Sequence, residues 1–373
     1  MLSQVRKGAS GMGGSPKLPY NQSAFPFAIR PIGGFSYVIM PLTLQEAANT
    51  LDATLRSLKG KRVVVLGHMR PDGDCIGSQT ALCRILLALG ADARCANRHP
   101  VPANLVAYAE GLTFVTESDF KSRPDEVAVA VDCADLSRIG ASLTDLYPAG
   151  LEANIDHHVS NDGFAKVNVV VEDAAATCHV LAYTALQKNL PVDAATAASL
   201  YLGLVTDTGS FRFRSTSPEV LEVAATLIRK GASPSLTTER VFESESPTKF
   251  VLIQRFLASM RLVENGRIAI GEIPIGLYEE TGTSKEDKEG LVDFPRSIAG
   301  VDIAVLLEEA KDGIKGSLRG KNPELRLDLL AAKLNGGGHK LAAGFNCLGA
   351  SFAKDRERIE AIIIAHLRER APR

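Results

Sequence analysis

At 373 residues the chain exceeds the usual span of one hydrophobic core, so two domains are expected. Its 45% hydrophobic and 23% charged residues suit a folded globular protein, and 42 basic against 43 acidic residues leave a formal net charge of -1. That balance argues against a protein that coats long nucleic acid, and leaves room for short phosphate ligands held by a few local cations or metals.

The six cysteines, at 75, 83, 95, 133, 178 and 347, show no paired spacing. They read as buried thiols in a reducing cytoplasm. No apolar run is long enough to cross a bilayer, and no membrane partner is expected.

Residues before Thr43 carry no acidic group and are rich in Gly, Ser and Pro. Residues 1–42 are therefore expected to be a disordered extension, or to lie largely ahead of a translation start at Met40. Thr43 with Glu46 forms a capping box, and Leu44, Ala48, Leu51, Leu55 and Leu58 line one helical face up to Gly60. Arg62 to Leu66 reads as a strand feeding the loop Gly67 to Ser78, and a helix with Ile76, Leu82, Ile85, Leu86 and Leu89 facing inward runs to Gly90. Ala91 to Ala96 is the next strand. The apolar run Glu126 to Val131 has the look of a strand buried on both faces of a parallel sheet, and it ends at Asp132.

Leu151 to Ile155 is a short strand running into Asp156, His157 and His158. Ala165 to Val171 precedes a helix through Ala182, and a helix from Ala194 to Val205 ends at Thr206, Asp207, Thr208 and Gly209. Strands alternating with helices at this spacing imply an α/β fold, a mainly parallel sheet with helices on both faces, over residues 43–230. Residues 231–265 read as a helical linker. A smaller α/β domain follows over 266–373: a strand Arg267 to Ile273, a helix Lys285 to Ala299, a hairpin of Ile303 to Glu309 with Ile314 to Arg319, the run Asn335-Gly336-Gly337-Gly338-His339, and a helix from Ala353 to Arg368.

Four element ends carry oxygen or imidazole donors: His68, Asp72 and Asp74; Asp132; Asp156, His157 and His158; and Asp207. Each taken alone fits a solvated turn or a cap, and His179 or His366 on helical faces fit packing. Their recurrence at the ends of apolar elements, the edge where open α/β sheets bind ligands, points to a centre for two hard divalent cations.

In this order the motifs His68-x-x-Pro71-Asp72-Gly73-Asp74, Asp132, Ile155-Asp156-His157-His158 and Thr206-Asp207-Thr208-Gly209 resemble the DHH phosphoesterase superfamily. Arg319 and Gly336-Gly337-Gly338-His339 resemble its C-terminal DHHA1 domain, and size and signature are most similar to the stand-alone nanoRNase group. The resemblance implies His68, Asp72 and Asp132 on one cation and Asp74, Asp132, His157 and Asp207 on the other. The cations would be Mn²⁺ by preference, with Mg²⁺ or Co²⁺ as substitutes. Asp156 would orient a ligand histidine, and His158 would contact phosphate or donate a proton to the leaving oxygen. Arg319, Gly336, Gly337, Gly338 and His339 would bind substrate.

The implied reaction is hydrolysis by in-line attack of a hydroxide shared by the cations. The implied substrates are short oligonucleotides and 3'-phosphoadenosine 5'-phosphate, with a homodimer as one arrangement of the protein. A cyclic or linear dinucleotide phosphodiesterase and a non-catalytic nucleotide-binding scaffold are the alternatives. Two departures from the family pattern stand out. Gly320 follows Arg319 where a hydroxyl residue is usual, and Cys75 replaces the usual alanine, which is expected to make it a thiol open to oxidation.

Overall fold

The computed structural model describes residues 42–371, so the 1–41 part of the expected N-terminal extension lies outside them. The chain divides between Val241 and Phe242 into two compact units.

The first unit opens with α1 (Leu44–Ser57), β1 (Arg62–Leu66), α2 (Gly73–Ala88), β2 (Asp92–Asn97), β3 (Phe114–Thr116) and β4 (Glu126–Val131). It continues with the short helices α3 (Leu136–Ile139) and α4 (Ala141–Thr144), then β5 (Ala153–Asp156), β6 (Val167–Val170), α5 (Thr177–Gln187), α6 (Ala194–Asp207), α7 (Pro218–Arg229) and α8 (Pro234–Phe242). The six strands run parallel in the order β3-β2-β1-β4-β5-β6. The sequence order reverses between β1 and β4, and a crevice at the carboxyl ends of strands is expected at such a reversal.

Side chains of β1 alternate between two cores. Val63 and Val65 pack with α1, α2, α5, α6 and α7, whereas Val64 and Leu66 pack with Ile139, Leu143 and Tyr147 under the short helices. Helices therefore cover both faces, the long ones gathered on one of them. The capping box at Thr43 is formed as expected, with both reciprocal bonds. Helix α2 departs from the expected single inward face, because all but one of the residues Gly73 to Leu86 are buried. Contact with α6 accounts for part of this: a Cβ at Gly77 would stand 2.5 Å from the Ser199 carbonyl oxygen, so only glycine lets the backbones approach.

The second unit holds α9 (Pro247–Ser259), β7 (Arg261–Val263), β8 (Ile268–Ile273), α10 (Leu277–Thr281), α11 (Asp293–Ser297), β9 (Ile303–Ala310), β10 (Gly313–Gly320), α12 (Leu327–Ala332), β11 (Gly336–Gly338), β12 (Ala342–Leu348) and α13 (Phe352–Arg370). Its sheet, ordered β11-β12-β10-β9-β8-β7, is mixed, with only β8 and β9 paired in parallel. One face packs on α12 and α13 and the other on α9, α10 and α11.

Two stretches differ from the sequence reading. Residues 285–299 are not one helix but a 3-10 turn at Glu286–Lys288 and the short α11, separated by Gly290 in a left-handed conformation (φ 82°). Within 231–265, Leu252 and Phe256 of α9 are fully buried in the second unit's core, and β7 is a strand of its sheet.

Candidate metal centre

β1 delivers His68 and β4 delivers Asp132, on neighbouring strands either side of the reversal. β5 ends on Asp156 and hands over to His157 and His158, and Asp207 is the last residue of α6. The imidazole Nε2 of His68 lies 3.4 Å from Asp132 Oδ2 and 3.7 Å from Asp72 Oδ1. His157 Nε2 lies 3.2 Å from Asp207 Oδ2, 3.8 Å from Asp132 Oδ1 and 4.0 Å from Asp74 Oδ2. Asp132 thus faces both groups, one oxygen to each.

Local structure aims these donors. The Nδ1 atoms of His68 and His157 face the backbone carbonyls of Met69 (2.9 Å) and Ala174 (3.3 Å). A carbonyl only accepts, so each Nδ1 carries a proton and each Nε2 is the ring atom turned toward the carboxylates. The start of α5 holds the acids: Thr177 and Cys178 donate their N–H groups to Asp74 at 2.7 and 2.9 Å, and the Thr177 hydroxyl donates to Asp132 Oδ1 at 3.1 Å. Asp72 caps α2, accepting from Asp74 and Cys75 N–H groups, and its side chain is the most open of the set at 61% exposed.

Burial and mutual repulsion set the charges. Burial, with the Asp132 and Asp207 carboxylates beside it, pushes Asp74 well above the usual carboxylate range. Burial also raises Asp207, against the pull of His157. Burial would raise Asp132 as well, but the His68, His157 and His158 rings hold it below the ordinary value. Burial favours the neutral ring of His157, yet Asp207, with Asp74 and Asp132, holds it up to about 10.

These residues fit divalent cations. His68 Nε2 is buried without a hydrogen-bond partner, although two carboxylate oxygens lie within 4 Å, and crowded buried acids become compatible once a cation lies among them. Three groups of donors come within 4.8 Å of one another: His68, Cys75 and Asp132; Asp132, His157 and His158; and Asp74, His157 and Asp207. Asp72 joins none of them. Cys75 is fully buried and burial pushes its thiol up to about 11, which opposes the expected openness to oxidation.

Asp156 differs from expectation in its partner. Its Oδ1 lies 2.8 Å from His158 Nδ1, whereas His157 turns its Nδ1 to a carbonyl. An ionised carboxylate accepts only, so His158 Nδ1 carries the proton and Nε2 is left to accept, 3.3 Å from Arg138 Nη1. Both ring nitrogens thus have partners within the fold, Asp156 and Arg138. Arg138, Asn161 and Thr177 all touch the site and were missed in the sequence. Polar residues near a motif are too common to single out, and only the folded contacts distinguish them.

In the second unit, strand register sets Arg319 opposite Ala342, and the His339 N–H donates to the Ala342 carbonyl at 2.7 Å. Both residues thus stand beside the start of β12. The three glycines are an edge strand, not a bare turn. A Cβ at Gly336 would lie 2.1 Å from the Gly344 carbonyl oxygen and one at Gly338 2.6 Å from Ala343 Cα, whereas Gly337 faces open space. Two of the three are thus required by packing on β12, and only Gly337 has room for a side chain.

Residues 62–204 match the family described as DHH family, N-terminal domain, and residues 265–365 match the DHHA1 domain. The chain is similar to the bifunctional oligoribonuclease and PAP phosphatase NrnA of Thermus thermophilus, 31% identical over 84% of this chain and 92% of that one. The protein of the same name from Bacillus subtilis is 28% identical over 76% and 88%. Among solved structures, an exopolyphosphatase-related protein from Bacteroides fragilis has a TM-score of 0.77 at 22% identity, over 87% of this chain and 96% of that one, a likeness of fold.

Proposed function

This chain belongs to the DHH family with a C-terminal DHHA1 domain and is a metal-dependent phosphoesterase, and from that premise we propose that it hydrolyses short oligonucleotides and 3'-phosphoadenosine 5'-phosphate. The reading is carried by the gathering of imidazole and carboxylate donors around Asp132 in a chain similar to oligoribonucleases of that name along nearly their whole length.

In this reading His68, Asp72 and Asp132 would hold one divalent cation, and Asp74, Asp132, His157 and Asp207 the other, with Mn²⁺ preferred. When bound, such cations polarise a phosphoryl oxygen and acidify water. The chain's own residues do the positioning. Carbonyls of Met69 and Ala174 fix the two ring tautomers, the start of α5 fixes Asp74 and Asp132, and Asp156 fixes His158 on the phosphate side of the site.

Residues 43–230 would form the catalytic domain and 266–373 the substrate-binding domain, with α9 and β7 of the 231–265 stretch packed into the latter. There Arg319, Gly336, Gly337, Gly338 and His339 would bind the nucleotide. Among the described residues no helix is long and apolar enough to cross a membrane. A reduced cytoplasmic setting with a small nucleotide substrate agrees with six free, buried thiols.

Purified protein with Mn²⁺ should release product quickly from 3'-phosphoadenosine 5'-phosphate and from an RNA dinucleotide, and slowly from longer RNA and cyclic di-AMP. Preference for cyclic di-AMP would overturn the substrate assignment in favour of a dinucleotide phosphodiesterase. Turnover that survives Asp132→Ala would overturn the site.

A further inference from the structure

Arg138 lies in the last turn of α3, clamped from two sides. Its carbonyl accepts the Met69 N–H at 2.7 Å, tying it to the loop that carries His68, and its own N–H donates to Asp135 Oδ1 at 3.2 Å. The side chain is partly buried and reaches the edge of the carboxylate cluster, one imidazole ring away from Asp132: His158 Nδ1 is 3.7 Å from Asp132 Oδ1 while His158 Nε2 meets Arg138 Nη1 at 3.3 Å. Among the described residues no carboxylate comes within ion-pair distance of this guanidinium.

The groups behind it form a hydrogen-bonded chain whose donors converge on Asp156 from both ends. Asn161 Nδ2 bonds both Asp156 Oδ2 (2.6 Å) and the Cys133 carbonyl (3.0 Å), Asp156 Oδ1 accepts from His158 Nδ1, and His158 Nε2 accepts from Arg138. A fold that needed only a cross-link could set a carboxylate directly against the arginine, as Glu126 is set against Arg94 and Arg123 elsewhere in this unit. An imidazole nitrogen instead meets one N–H of the fork, and no carboxylate stands against the guanidinium. A planar guanidinium in that condition is a receptor for a phosphoryl group, which it can grip through paired hydrogen bonds.

We propose that Arg138 binds the phosphoryl group of the substrate and that Asp156, through His158, is a positioning residue for it. This rests on the phosphoesterase reading of the site, and it assigns His158 to orientation instead of proton donation.

The test uses the full chain loaded with Mn²⁺ and measures equilibrium binding of inorganic phosphate, kcat and KM on 3'-phosphoadenosine 5'-phosphate, the number of Mn²⁺ bound, and the melting temperature. R138Q should weaken phosphate binding by about 10-fold or more and raise KM, with bound Mn²⁺ and melting unchanged. R138K, which keeps the charge but not the fork, should recover only part of the loss, and it makes the same comparison should R138Q melt early. H158Q should weaken phosphate binding less, and add nothing in the R138Q background. Wild-type phosphate affinity and KM in R138Q would overturn the proposal, as would an H158Q that lowers kcat with phosphate affinity intact. Phosphate binding that depends on Arg138 in a protein that hydrolyses no phosphoester would overturn the enzyme reading and leave the anion site standing.

Discussion

Asp132 follows the buried strand β4 with a left-handed backbone, φ 56°, a conformation that costs a residue with a Cβ roughly 1–3 kcal/mol and persists where the surroundings over-determine it. The Thr177 hydroxyl is one of those surroundings. Thr177→Val keeps the shape and deletes the donor, so Mn²⁺ affinity should fall by about 10–100-fold in a direct titration. Gly203 guards the neighbouring acid by its lack of a side chain: a Cβ there would stand 2.4 Å from Asp74 Oδ1 and 2.3 Å from Cys178 Sγ. Gly203→Ala should therefore displace Asp74 and weaken Mn²⁺ binding. The acids and histidines could be picked out of the sequence because each ends an apolar run. Thr177 and Gly203 could not, since their roles exist only through contact with acids distant in the chain, Asp132 lying 45 residues and Asp74 103 residues before Thr177.

At the scale of elements, α1, the parallel strands other than β3 and the β9–β10 hairpin follow from caps, apolar runs and turn residues, all local signals; β3 is a three-residue edge strand that the sequence reading passed over. Where long-range packing decides, local reading fell short: α2 is wrapped on nearly every side, and Gly290 divides what the 285–299 pattern presents as one helix. His366 on α13 is another such case. A helical periodicity leaves its face open to either reading, and it is wholly buried, with Nε2 donating to the Leu325 carbonyl at 2.6 Å and Nδ1 without a partner. Burial lowers its pKa from 6.5, so below about that pH the unfolded chain binds a proton that the folded one resists. Stability from this residue is present above 6.5 and is lost as pH falls through that value toward the lower folded pKa. His366→Gln keeps an N–H donor and removes the titration, so its melting temperature should decline less steeply than wild type between neutral and mildly acid pH.

For the whole molecule, the two units have separate cores, and the donors gathered around Asp132 all belong to the first. A near-balanced chain with a formal charge of -1 concentrates buried acids at one sheet edge, where like charges oppose folding unless something positive offsets them. A cation that binds only the folded first unit stabilises it by mass action, about 2.7 kcal/mol at a concentration 100-fold above its dissociation constant. For a unit of this size that is a rise of about 5–10 °C in melting temperature. The donors lie in the first unit, so a calorimetric scan with and without Mn²⁺ should show that unit's transition move upward. Asp132→Asn keeps the volume but removes the charge facing both donor groups, and that transition should no longer respond to Mn²⁺. A shift of equal size in wild type and Asp132→Asn would mean that the cation binds elsewhere.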